Sequence, residues 1–89
     1  MKYLVGLWTG GLMEHPDVEI TELQMIEAPL RSEAERIYNE KNNCSYFYGS
    51  CVGEFNGASR KWVLYSNSIS YLRGDLTPLL PFEVKPREE

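Results

Sequence analysis

Residues 32–43 read Ser-Glu-Ala-Glu-Arg-Ile-Tyr-Asn-Glu-Lys-Asn-Asn, and residues 44–65 continue Cys-Ser-Tyr-Phe-Tyr-Gly-Ser-Cys-Val-Gly-Glu-Phe-Asn-Gly-Ala-Ser-Arg-Lys-Trp-Val-Leu-Tyr. This is one short helix, a stop, and two aromatic-rich strands folded about Asn56-Gly57. The rest of the chain is arranged around it.

Ser32 followed three residues later by Glu35 has the spacing of a capping box, and Glu33 and Glu35 fall in the first turn, where the helix dipole favours negative charge. Ala34, Ile37, Tyr38 and Lys41 repeat at helical spacing as a narrow apolar stripe, with Glu33, Arg36 and Glu40 on the outer side. Asn42-Asn43 ends the helix, because Asn tolerates the left-handed conformation a helix end requires. A helix of about ten residues is not stable alone, so it must lie on a sheet. Residues 44–55 and 60–66 are β-prone, and Asn-Gly between them is a strong hairpin signal; Ala58 and Ser59 lengthen the loop beyond two residues.

Outward from this core, residues 2–9 form a first strand with Tyr3, Val5 and Leu7 on one side and Leu4 and Trp8 on the other, the pattern of a strand covered on both faces. Gly10-Gly11 breaks it. Residues 18–28 form a second strand whose apolar parity switches between Ile20 and Leu23, which calls for a bulge near Glu22; a helix over 20–27 is the alternative. After Tyr65, residues 69–73 can supply a short last strand, and the proline-broken segment 76–82 is expected to lie extended across the body. The fold class is α+β: a largely antiparallel four- to five-stranded sheet with one helix packed on one face, in the chain order strand, strand, helix, strand, strand. Residues 1–84 make a single domain and 85–89 a frayed tail. Two strand orders stay open, a ferredoxin-like pairing of the first and third strands or a simple meander.

The 89 residues carry a net charge of −4, with nine acidic and four basic side chains in residues 1–58. Nucleic-acid affinity rests on an excess of Lys and Arg, so no nucleic acid is expected as a partner; Tyr46, Phe47 and Tyr48 also lack the basic start of an RNA-recognition strand. No apolar run approaches a membrane span of ~20 residues, and the start of the chain lacks a signal-peptide pattern, so the expectation is a cytoplasmic protein without membrane attachment.

Catalytic groups are sparse. His15, the single histidine, reads as an exposed loop residue; His15, Cys44 and Cys51 lack the spacing of a zinc site. The two cysteines, seven residues apart in one strand, would be ~23 Å from each other, too far for a disulfide. No cofactor, no metal and no enzymatic activity are expected.

The surface carries the functional reading. Three strands are apolar on both faces, yet one short helix covers only one. The second face is covered by the C-terminal segment (Leu72, Leu76, Leu79, Leu80, Phe82), or it meets a second copy or another protein, or it frames a ligand cleft. The reading adopted is a small non-enzymatic protein-interaction module, a homodimer or the binder of a different protein. It would act as an inhibitor or accessory factor, of the type phages and mobile elements encode, that occupies a basic site on a larger partner. Its contact residues are Tyr46, Tyr48, Trp62 and Tyr65, with Trp8 second. The alternative is a small-ligand-binding domain with a pocket between sheet and C-terminal segment, lined by Trp8, Tyr38 and Trp62.

Overall fold

Two apolar surfaces have to be buried, and the first strand shows both. The computed structural model describes residues 1–11, 13–14 and 16–87. The chain forms β1 (Lys2–Thr9), β2 (Glu19–Glu27), α1 (Arg31–Lys41), β3 (Tyr48–Asn56), β4 (Lys61–Tyr65), the single-turn α2 (Ser66–Ile69), a 3-10 turn (Thr77–Leu79) and β5 (Phe82–Lys85). Along β1, Tyr3 and Val5 are buried with Ile26, Ala28, Ala34, Tyr38, Cys51 and Tyr65. Leu4, one residue out of phase, is buried with Ile20, Val52, Leu64 and Leu72. The α+β class and the mostly antiparallel sheet follow from these alternations.

The strand order is β2-β1-β3-β4-β5. The first three pairings are antiparallel and β4–β5 is parallel. This order differs from both expected ones. The first and third strands are neighbours but run antiparallel, which is not the ferredoxin-like arrangement. Because α1 carries the chain from one side of β1 to the other, the sheet is not a meander either.

The parity switch in β2 is a bulge. Val5 pairs with Gln24 but Leu7 with Thr21, and Glu22 takes a φ of 53°. The extra residue turns Ile26 into one cluster and Ile20 into the other. The Tyr38 hydroxyl donates to the Glu22 carbonyl at 2.9 Å, tying α1 to the bulge.

The helix begins differently from its sequence signal. Leu30 is the N-cap, no side chain caps it, and Ser32 lies inside the first turn. The Glu35 carboxylate accepts no N–H at the helix start; it accepts the Cys51 N–H at 2.8 Å. The outer stripe matches the pattern, with Arg36 bridging Glu33 and Glu40 at 2.7 Å each, and Asn43 ends the helix at φ 52°. In the hairpin, Asn56 Oδ1 accepts the Ala58 and Ser59 N–H groups across a loop longer than two residues.

Residues 69–73 do not form the expected short strand; Leu72 makes only an isolated parallel bridge to Ile20. After α2 the chain crosses to the far edge of the sheet, where Ile20 bonds Tyr71 and Arg73 through its N–H and carbonyl. It then returns, and β5 pairs beside β4. Leu72 is buried in the second cluster and Leu76, Leu79 and Phe82 are half-buried against it, whereas Leu80 is exposed. This out-and-back strap is the second face's cover. Lys85, where the frayed tail was expected to start, is the last residue of β5 and pairs with Tyr65; Glu88 and Glu89 lie outside the described residues. No helix among the described residues is long and apolar enough to cross a membrane.

Candidate functional site

The strap stops short of one end of the sheet, and the aromatic residues there stay accessible. Trp8, near the end of β1, pairs with Ile20 of β2 and Tyr48 of β3. Directly opposed residues point to the same face, so Trp8 and Tyr48 share the strap's side of the sheet. Trp8 is half-buried, its ring meeting Tyr71 edge-on at 5.4 Å. Tyr46 and Phe47 sit in the loop between Asn43 and β3, stacked edge to face at 4.9 Å. Tyr46 is 64% exposed and Tyr48 57%; the Tyr48 hydroxyl donates to the Ser45 carbonyl at 3.3 Å. Between these rings runs an open groove of about 410 Å³, lined by Trp8, Gly10, Tyr46, Phe47, Tyr48, Gly49 and Ser50.

The groove floor requires glycine at two places. Gly10 has a φ of 102°, and a Cβ there would lie 2.1 Å from the Asp17 carbonyl oxygen; this close approach draws the start of β2 against the end of β1. On the opposite face a Cβ at Gly49 would lie 2.4 Å from Tyr38 Cδ1. The Gly49 N–H is held by Asn39 Oδ1 at 2.6 Å. The first residues of β3 are thus anchored to α1 while their other side carries the groove.

Apart from the groove, a hollow of about 300 Å³ is lined by Thr9, Glu14, Pro16, Asp17 and Glu19. Among the described residues its walls hold three carboxylates and no Lys or Arg. Glu19 has Arg73 at 3.7 Å. Among the described residues no group of His, Cys, Asp and Glu converges closely enough to hold a metal.

The expected contact residues separate into two sets. Trp8, Tyr46 and Tyr48 come together at the groove. Trp62 does not: it pairs with Phe55 and Phe82, half-buried in the second cluster with its ring edge-on to Phe55 at 5.4 Å. Phe55 is seven residues along β3 from Tyr48, about 23 Å at ~3.3 Å per residue. Tyr65, expected at the surface, is 2% exposed in the first cluster with the Arg31 guanidinium over its ring. Burial pushes its hydroxyl up to about 12, with the Arg31 hydrogen bond opposing. The five rings therefore do not share one face: Trp62 packs on the second cluster and Tyr65 lies in the first.

The alternative pocket is not assembled either: Tyr38 is buried in the first cluster, Trp8 packs on the second, and Trp62 is at the far end. Cys51 is buried, its thiol pushed up to about 11 chiefly by desolvation, and both cysteines are free. Cys44 precedes β3 instead of sharing its strand. His15 lies outside the described residues.

Sequence reasoning missed Phe47, Gly49, Ser50 and Gly10 as groove residues. The available signal was the Gly10-Gly11 break directly after Trp8. No family model matches the chain, and no curated protein or solved structure matches it.

Proposed function

We propose that this chain is a small non-enzymatic protein-binding module, an inhibitor or accessory factor that engages its partner through the Trp8–Tyr46–Tyr48 groove. In this reading α1 roofs one face of the sheet and the strap the other, leaving the groove as the open aromatic surface. One observation carries it: two tyrosines more than half exposed flank a half-buried Trp and Phe at a single concave site. Exposed aromatics stay in water at a cost, and their gathering in one groove is the composition of a contact centre. The groove is smaller than a standard domain-sized interface of ~800 Å² per partner, which suits a peptide-like segment.

The test is selection from a random-peptide display library on the immobilised protein, repeated on a Tyr46→Ser, Tyr48→Ser double variant. Sequences enriched on the parent and lost on the variant support the reading. If the two proteins enrich the same background, the groove is not a binding site and the reading falls. Light scattering over a wide concentration range checks the homodimer form, which requires mass to rise with concentration and the double variant to stay monomeric.

A further inference from the structure

The sheet has two edges, β2 and β5, and they are unequally guarded. On β2, Ile20 bonds Tyr71 and Arg73 through both of its backbone groups, and the bulge at Glu22 bends the strand; both devices keep a second chain away. β5 pairs with β4 in unbroken register and, among the described residues, has no strand on its other side. Alternate backbone N–H and C=O groups of β5 therefore face water. Glu83, Val84 and Lys85 are exposed, whereas Val63, Leu64 and Tyr65 beside them are buried. We infer that β5 is a dimerisation edge, at which two copies of this chain join their sheets antiparallel about a two-fold axis through Val84. This goes beyond the proposed function and uses none of the groove's rings.

Charge complementarity selects both the occupant and the register. Across such an axis, residues equally far from it in sequence lie opposite each other on one face of the joined sheet. An axis at Glu83 would set that carboxylate against its own copy, and an axis at Lys85 would oppose two ammonium groups. At Val84, Glu83 of each copy meets Lys85 of the other. Both charges stand on the face that carries α1, beside Val63 and Tyr65. Val84, 48% exposed, meets its own copy on the strap's face, beside Leu64. Within one copy Lys85 has Glu54 at 3.5 Å, while Glu83 has no ion-pair partner among the described residues; the second copy supplies one.

Pro81 and Pro86 bound the edge and keep the pairing short. The contact is smaller than the ~800 Å² per partner of a standard interface, and exposed ion pairs fix register more than they add strength, so the dimer forms at high protein concentration. No residue of β4 or β5 lines the groove, so a dimer presents two open grooves.

Sedimentation equilibrium of the whole chain, from micromolar to millimolar protein, tests this. The mass should rise from that of one chain to that of two and stop there. Glu83→Lys alone, or Lys85→Glu alone, sets like charges opposite each other on both sides of the axis and should weaken the dimer about ten-fold. An equimolar mixture of the two variants recreates both opposite-charge pairs and should regain the parent's affinity as a heterodimer. Both side chains are exposed, and an unchanged melting temperature verifies each fold. Glu83→Lys leaves the Lys85–Glu54 pair in place and carries the test by itself if the other variant melts lower. Amide exchange within β5 should slow as the dimer forms.

A mass that stays at one chain up to millimolar protein, or association indifferent to the charge reversals, would overturn the inference and leave the groove reading standing. Association abolished by the Tyr46→Ser, Tyr48→Ser variant would assign the second copy to the groove and overturn it too. Mass growing past two chains would mean an edge contact that does not close. A mixture of the stably folded variants that associates no better than either alone would contradict the Val84 register.

Discussion

The Glu35 carboxylate accepts a 2.8 Å hydrogen bond from the backbone N–H of Cys51, so a residue that reads as a helix cap serves as the cap of a strand. The cause is in the pairing of β3. Its partner β4 joins only from Gly53 onward, and the N–H groups of Gly49 and Cys51 on that side have no strand to bond. Asn39 and Glu35, four residues apart on α1, supply one acceptor each. A half-open strand edge is closed by helix side chains.

Glu35→Ala should therefore act on the sheet. Leaving the Cys51 N–H unpartnered costs about 1–3 kcal/mol, read as a lower urea midpoint, and exchange of the Cys51 amide with solvent should accelerate. Glu35→Gln keeps an acceptor and should lose less. Equal losses in both variants would contradict the capping role.

Tyr38 links three elements: its ring lies where a Gly49 side chain would be, and its hydroxyl holds the bulge carbonyl of Glu22. Tyr38→Phe should cost about 1 kcal/mol, the net worth of one hydrogen bond. Gly49→Ala forces the ring to shift and should cost about 1–3 kcal/mol. Most of that loss should disappear in a Tyr38→Leu background, giving a coupling measurable in a double-mutant cycle.

The strap makes a contrast between two leucines. Leu72 is 8% exposed in the second cluster and Leu80 is 60% exposed. Leu72→Ala should destabilise by about 2–4 kcal/mol, whereas Leu80→Ala should stay within about 0.5 kcal/mol. Binding of a hydrophobic dye should rise for the first variant. Similar values at both sites would mean that the segment does not cover the face.

Three buried acids should make the fold alkali-sensitive. Desolvation pushes Tyr38 and Tyr65 up to about 12 from 10.0, and Cys51 up to about 11 from 9.0. The unfolded chain loses these protons first, so in that range the native state holds more protons and stability falls as pH rises. The contribution is whole below pH 9 and is lost toward pH 12, with a slope of up to about 1.4 kcal/mol per pH unit for each group titrating. Urea unfolding across this range checks it. Cys51→Ala should flatten the part of the curve between pH 9 and pH 11.

Local signals were legible where the cause is local. The helix stripe of Ala34 and Tyr38, the Asn43 stop, the hairpin at Asn56-Gly57 and the bulge at Glu22 each depend on residues within a few positions. The N-cap of α1 was misread because Glu35 had a stronger claim on it from β3, far along the chain. Residues 69–73 look β-prone in isolation, but Leu72 is needed at the far edge against Ile20, which the preceding single-turn helix makes reachable. The parity of Tyr65 tells only that it faces one side of the sheet; its burial in a cluster with Ala34 and Tyr38 comes from residues far from it along the chain.

From the residues themselves came the α+β class, the doubly apolar strands, the acidic character and the presence of surplus aromatic rings, since these depend on composition and on periods of two and 3.6. Which rings remain in water was decided by the tertiary structure. That depends on where a proline-broken strap runs and on the carbonyl of Asp17 lying against Gly10, contacts between residues whose distance along the chain carries no trace of their meeting.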